Sequence, residues 1–170
     1  MTTVEIREAT GADHDRVVRL LRDSWGSALV VSRGRVHDAA ELPALLALAD
    51  GGLAGVATLR TDGPDCELVT LDALIRHAGV GSALLDAAAD WARDRGCRRL
   101  WLITSNDNLD AIRFYQRRGF RLVAVHRGAV DHARELKPSI PQVGLYGIPL
   151  HDELELELAV EPADQAPPVS

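Results

Sequence analysis

Positive charge is in deficit in this sequence. Its 170 residues carry 19 Lys and Arg against 25 Asp and Glu, a net charge of −6. Lys137 is the only lysine. A chain so poor in cations has no broad electrostatic grip for a nucleic acid backbone, and no nucleic acid partner is expected. An acidic surface suits cationic partners such as amines. Long apolar runs are also missing: none approaches the ~20 residues of a membrane-spanning helix, so no membrane partner is expected. Met1 to Thr10 is polar and alternating, which excludes the apolar core of a signal peptide and makes the cytoplasm the expected location. There are two cysteines, Cys66 and Cys97, expected to be reduced packing residues and not a disulfide. The six histidines match no tight zinc-ligand spacing; even His126 and His132 are separated by five residues, and no metal is expected. No internal repeat is present.

What remains is one domain's worth of alternating strand and helix patterns. Thr3 to Ala9 alternates as a half-buried strand, followed by a helix with Val17, Leu20 and Leu21 on one face and Thr10 or Asp13 as its cap. Leu29-Val30-Val31 reads as a short strand before the turn-like Ser32-Arg33-Gly34-Arg35. Leu42–Ala49 and Leu53–Arg60 flank a glycine turn and form a hairpin. A strand over Cys66–Leu74 precedes a helix over Gly81–Arg95 whose buried stripe is Leu84, Leu85, Ala88, Trp91 and Ala92. Arg98–Thr104 is a near-continuous apolar strand of the kind covered on both faces, and this strand-helix-strand run should cross over right-handed. A helix capped by the Asn106-Asp107-Asn108 cluster ends at Gly119, and Phe120–Val125 is again a strand. Arg127–Gly147 reads as a long loop. Leu154, Leu156, Leu158 and Val160 alternate with glutamates in a last strand with one buried and one wet face. Residues 1–160 are expected to form the domain, and 161–170 a polar, proline-bearing disordered tail.

The stretch Arg76-His77-Ala78-Gly79-Val80-Gly81-Ser82 lies between a strand and a helix. Two glycines one residue apart let the backbone turn tightly and come close to a ligand. The first-turn N–H groups of the helix that follows lack intrahelical partners and sit at its positive dipole end, so they suit phosphate. The loop has no Gly-Lys-Ser/Thr, which excludes a Walker-type loop. It has Leu84 where a Rossmann loop needs its third glycine. The remaining pattern, Arg-x-x-Gly-x-Gly, is also that of an ordinary strand-to-helix turn. It resembles the acetyl-coenzyme A loop of the GNAT N-acetyltransferases.

A second segment carries the same resemblance. Residues Asn108 to Phe120, Asn-Leu-Asp-Ala-Ile-Arg-Phe-Tyr-Gln-Arg-Arg-Gly-Phe, are similar to that family's Asn-x-x-Ala-x-x-Phe-Tyr-x-x-x-Gly-Phe signature. The resemblance implies an α/β (α+β) fold: a mixed, mostly antiparallel twisted sheet with a central splayed parallel strand pair and flanking helices. It implies acetyl-CoA as co-substrate, held by Ala73, Leu74, Arg76, His77, Gly79, Val80, Gly81, Ser82, Ala83, Asn108 and Tyr115, with the diphosphate on the amides of Val80 to Ala83. It also implies transfer to a primary amine of a small molecule or polypeptide, by direct attack through a tetrahedral intermediate, in a monomer or homodimer. Such a reaction needs the ammonium deprotonated, an oxyanion stabilised and a leaving thiolate protonated. Tyr115 matches the family's leaving-group tyrosine; Ala111 and Tyr115 also share a helix face and would pack as core. Asn108 is both a cofactor contact by resemblance and a helix cap by position. Glu67 is the first candidate for the base; by position alone it is an exposed strand end. The loop from Leu71 to Arg76 is a residue or two tighter than the family pattern, so Asp72 competes with Glu67, and His126 is a third candidate. Trp25, Arg35 and His37 are candidate acceptor contacts; loop packing and solvated charge are the alternative for each. A non-catalytic acyl-CoA-binding module is the other class in play.

Overall fold

The computed structural model describes residues 3–75 and 78–161. Arg76, His77 and residues 162–170, and with them the expected tail, lie outside the described residues. The elements follow as β1 Val4–Glu8, α1 His14–Trp25, β2 Leu29–Ser32, β3 Arg35–Asp38, β4 Ala44–Ala49, β5 Gly52–Asp62, β6 Asp65–Ala73, α2 Val80–Asp94, β7 Arg99–Ser105, α3 Leu109–Arg117, β8 Arg121–His126, α4 Ala129–Leu136 and β9 Glu153–Ala159. Strands β2 and β3 pair as a separate two-stranded sheet. The other seven form a mixed, mostly antiparallel sheet with one parallel pair, the α/β architecture that the sequence implies.

Two compact units divide the chain, one holding β1, α1, β4, β5, β6 and α2, the other most of β7 with α3, β8, α4 and β9. In the first unit the strands run β1-β4-β5-β6, each pair antiparallel. One face takes α1: Val17, Leu20 and Leu21 pack with Leu46, Val56 and Val69 in one buried cluster. The other face takes α2, whose Val80, Leu84, Leu85, Ala88, Trp91 and Ala92 are buried. Each fully buried Leu of that stripe contributes about 1.5–3 kcal/mol.

Gly55 decides how closely α2 can lie. A Cβ there would stand 2.9 Å from both Val80 Cγ1 and Leu84 Cδ1, and 2.5 Å from the Asp72 carbonyl oxygen. The start of α1 is fixed by Asp13, which takes Arg7 at 2.8 Å, Arg16 at 2.5 Å and the Thr10 amide at 2.8 Å. Gly26, at φ 75°, closes that helix. Cys66 and Cys97 are buried free thiols, as expected. Burial pushes Cys66 up to about 12, so it stays protonated at neutral pH.

In the second unit the order is β7-β9-β8. The region read as a long loop contains α4, with Val130 and Ala133 on its buried face. The "wet" side of β9 is also corrected: Glu153 is buried, and it accepts from the Arg33 amide at 3.3 Å. The turn that carries Arg33 covers that end of the strand, so its polar face is not solvated along its whole length. β7 in turn is less enclosed than read. Leu100, Leu102 and Thr104 are buried, while Trp101, Ile103 and Ser105 are half-buried.

Candidate active site

The cradle is built by β6 and α2 within the first unit. Ala73 ends β6 opposite Gly55, and the Leu74 amide donates to the Ala54 carbonyl at 2.7 Å, carrying the ladder one residue further. Leu74 and Ile75 then stand exposed. Gly79 caps α2 in the left-handed conformation, φ 76° and ψ 8°, and a Cβ there would meet nothing within 4 Å. An L side chain is strained at that φ, so glycine is required by the turn as well as suited to a close-approaching ligand. The Ala83 amide donates to the Gly79 carbonyl at 3.0 Å, the first rung of the helix. Ala83 is therefore removed from the expected set of phosphate donors. Val80 and Gly81 precede that rung, where an α-helix offers no carbonyl to their N–H groups.

Glu67 and Asp72 both lie on β6. The register pairs Asp72 with Val56, Thr70 with Thr58 and Glu67 with Arg60, and it shifts between Thr58 and Leu59. Cross-strand partners share a face, so all three polar residues look toward α1 with Val56. Glu67 is 2% exposed, and Arg60 reaches it at 3.2 Å. It is not an exposed strand end. The Thr58 and Thr70 hydroxyls share a buried hydrogen bond of 2.6 Å. Asp72 is half-buried, and the Trp25 indole N–H donates to its Oδ2 at 2.8 Å. Burial pushes the Asp72 carboxyl above its ordinary value, against hydrogen bonds from Trp25 and Ser24 that pull it down. Trp25 itself is 40% exposed at the end of α1.

In the second unit, Asn108 caps α3, its Oδ1 accepting from the Ala111 amide at 3.3 Å. Tyr115 is 9% exposed, with ring centroids 5.2 Å from Phe114 and 5.4 Å from Phe120. The packing expected of it is present. His126 pairs through Nε2 with Glu155 at 3.1 Å. Of the acceptor candidates on β3, Arg35 is exposed and His37 is buried.

Three residues shape these features beyond what the sequence assigns to them: Gly55, Arg60 and Asp107. By its position in the sequence Asp107 is only a possible cap. It is buried, accepts from the Ser105 hydroxyl, and takes the Leu145 amide at 2.8 Å. Gly144 makes room for it.

A family model described as "Acetyltransferase (GNAT) family" matches residues 7–120. The uncharacterized protein YdhI of Bacillus subtilis (strain 168) is 40% identical over 131 residues, which span 76% of this chain and 82% of YdhI. Among solved structures, the IAA acetyltransferase from Bacillus cereus ATCC 14579 superposes with a TM-score of 0.73 at 20% identity, covering 93% of this chain and all of that one. A GNAT family acetyltransferase from Elizabethkingia anophelis with acetyl-CoA bound gives 0.67 at 18% identity, covering 92% and 98%. At those identities the likeness of the two structures is one of fold.

Proposed function

Because this chain belongs to the acetyltransferase (GNAT) family, we propose that it is an acetyl-CoA-dependent N-acetyltransferase acting on a primary amine of a small molecule or polypeptide. The observation that carries this reading is the left-handed Gly79 cap, which starts α2 with the Val80 and Gly81 amides at its positive end. Those donors suit a diphosphate. The acetyl-CoA held by the E. anophelis relative supports the same co-substrate here. Residues 1–160 act as one such domain, in the cytoplasm.

The chemistry assigned to this chain's residues is short. An alkylamine has a pKa of about 10.4 and reaches the site as ammonium, so a carboxylate or water must take one proton. Glu67 and Asp72 of β6 are the carboxylates assigned to this step. Backbone N–H groups stabilise the oxyanion formed on attack. Tyr115 gives its phenolic proton to the departing thiolate. The test is thiol release from acetyl-CoA with a panel of amines, amino acids, polyamines, aminoglycosides and peptides. Amine-dependent release is expected. Tight acetyl-CoA binding without release on any acceptor would leave the non-catalytic binding module instead.

A further inference from the structure

Glu67 and Asp72 of β6 look toward α1, and their surroundings differ sharply. Glu67 is closed off at 2% exposure, with Arg60 against it at 3.2 Å. Its charge is already matched and its side chain is closed off from solvent. Asp72 is half-buried and lies one residue from the end of β6, seven residues before the Gly79 cap. Its partners are neutral donors, Trp25 at 2.8 Å and Ser24. A carboxylate held by neutral donors keeps its full charge for a cationic ligand. Trp25 is 40% exposed, and an indole beside a carboxylate offers an ammonium both a π face and a counter-charge. On the same side of the sheet a cavity of about 170 Å³ is lined by Arg16, Arg19, Leu20 and Asp23 of α1 with Leu53 and Leu74. Asp23 is two residues from Trp25 and Leu74 two residues from Asp72, so this space adjoins the pair in the chain.

We propose that Asp72, oriented by the Trp25 indole N–H, is the acceptor-side catalytic carboxylate, which receives a cationic primary amine and takes its proton. This rests on the acetyl-transfer reading above. An N–H bond of the bound ammonium breaks, its proton passes to an Asp72 oxygen, and the electron pair stays on nitrogen. That nitrogen bonds to the acetyl carbonyl carbon as the C=O π pair moves onto oxygen. The pair then returns and the C–S bond breaks with its pair leaving on sulfur. Tyr115 protonates that sulfur, and the second proton on nitrogen returns through water to the Tyr115 phenolate, leaving a neutral amide and a free thiol. Burial, which raises the Asp72 carboxyl, makes it a better proton acceptor than a solvated aspartate. Trp25 is a positioning residue.

The test compares Asp72→Asn, Trp25→Phe and Glu67→Gln with the parent, using propane-1,3-diamine as a charged acceptor and methoxyamine as one that is neutral at pH 7. Acetyl-CoA affinity is measured by calorimetry and folding by thermal melting. For Asp72→Asn, kcat/KM with the diamine should fall about 100-fold or more. The loss on methoxyamine, which needs no deprotonation before it attacks, should be at least tenfold smaller, with acetyl-CoA affinity unchanged. Trp25→Phe, which keeps an aromatic ring and removes the N–H donor, should raise KM for the diamine and leave KM for acetyl-CoA alone. Equal losses on both acceptors, a parental rate in Asp72→Asn, or a loss confined to Glu67→Gln would overturn the assignment. Should Asp72→Asn fail to fold, an unchanged diamine KM in Trp25→Phe overturns it by itself. A parent that neither binds acetyl-CoA nor acetylates any amine defeats the acetyl-transfer reading and this assignment with it.

Discussion

Gly55→Ala is the sharpest probe of how the cradle is held. The added methyl would stand 2.9 Å from Val80 Cγ1 and Leu84 Cδ1, and 2.5 Å from the backbone oxygen of Asp72. Ordinary contact begins at 3.4 Å, so α2 and the neighbouring strand must each retreat by about half to nearly one ångström, on the repulsive wall of the contact potential. The side chains can adjust; the strand carbonyl cannot without moving β6. Overpacking of this kind costs about 1–3 kcal/mol. Replacing glycine inside a strand returns roughly 0.5–1 kcal/mol of chain entropy. The net is a destabilisation of about 1–2 kcal/mol, or about 2–8 °C in Tm for a chain of this size. Val80 is also the first residue of α2, so the same displacement moves the donors of the cradle. Acetyl-CoA affinity should therefore fall about 3- to 10-fold, close to 1 kcal/mol. Melting by circular dichroism and titration by calorimetry read the two effects separately. A Gly55→Ala protein that melts and binds like the parent would refute the account of α2 seating. Lost stability with parental affinity would detach the cradle from that seating.

Gly81→Val should fold, since valine is a better helix former than glycine, but its branched side chain should weaken acetyl-CoA binding at least about tenfold by calorimetry. Tyr115→Phe keeps the ring against Phe114 and Phe120, so Tm and acetyl-CoA affinity should hold while the single-turnover transfer rate falls by about 100-fold; an unchanged rate removes the acid role. Asp13 is held below the ordinary carboxylate range, first by its hydrogen bond from Arg7 and then by Thr10 and Arg16. Its stabilising contribution is intact above the ordinary carboxylate pKa of about 4 and is lost as pH falls below it, so melting curves of the parent and Asp13→Asn should differ at neutral pH and converge in acid.

The helices and strands that were legible in the sequence are those with a clear period. Leu84, Leu85, Ala88, Trp91 and Ala92 sit at helical spacing because one stripe of α2 must cover a sheet, and all five are buried. Helix α4 is hard to see in the sequence because its apolar stripe is only Val130 and Ala133. The signals present were its helix-forming Ala-Arg-Glu-Leu composition, Arg134 in its last turn and Pro138 just beyond its end. The alternation in β9 was read correctly as a strand and wrongly as two-faced, since Glu153 is buried against the Arg33 amide. Alternation reports which residues point opposite ways; whether the polar side meets water depends on what packs there. Gly79 could be placed from its spacing to Gly81. Arg60 could not, because its role depends on which residue of β6 stands across from it.

That pairing is also what sequence periodicity cannot supply for the two carboxylates. Glu67 and Asp72 are five apart, and in a regular strand residues an odd number apart point to opposite faces. Here the register skips Val69: Thr70 pairs with Thr58, and the next pair is Leu68 with Leu59. One extra residue on β6 against β5 is a bulge, and it inverts the facing of everything before it. Glu67 is thereby turned to the same side as Asp72 and meets Arg60 there. Without the bulge Glu67 would look toward the α2 face, where Ala57 and Leu59 are buried, and it would have no cation to meet. The bulge thus sets Glu67 and Asp72 on one side of β6, one with its charge matched in the interior and one half-buried near the strand's end. The division of labour between them follows from this single inserted residue and the arginine it brings opposite Glu67.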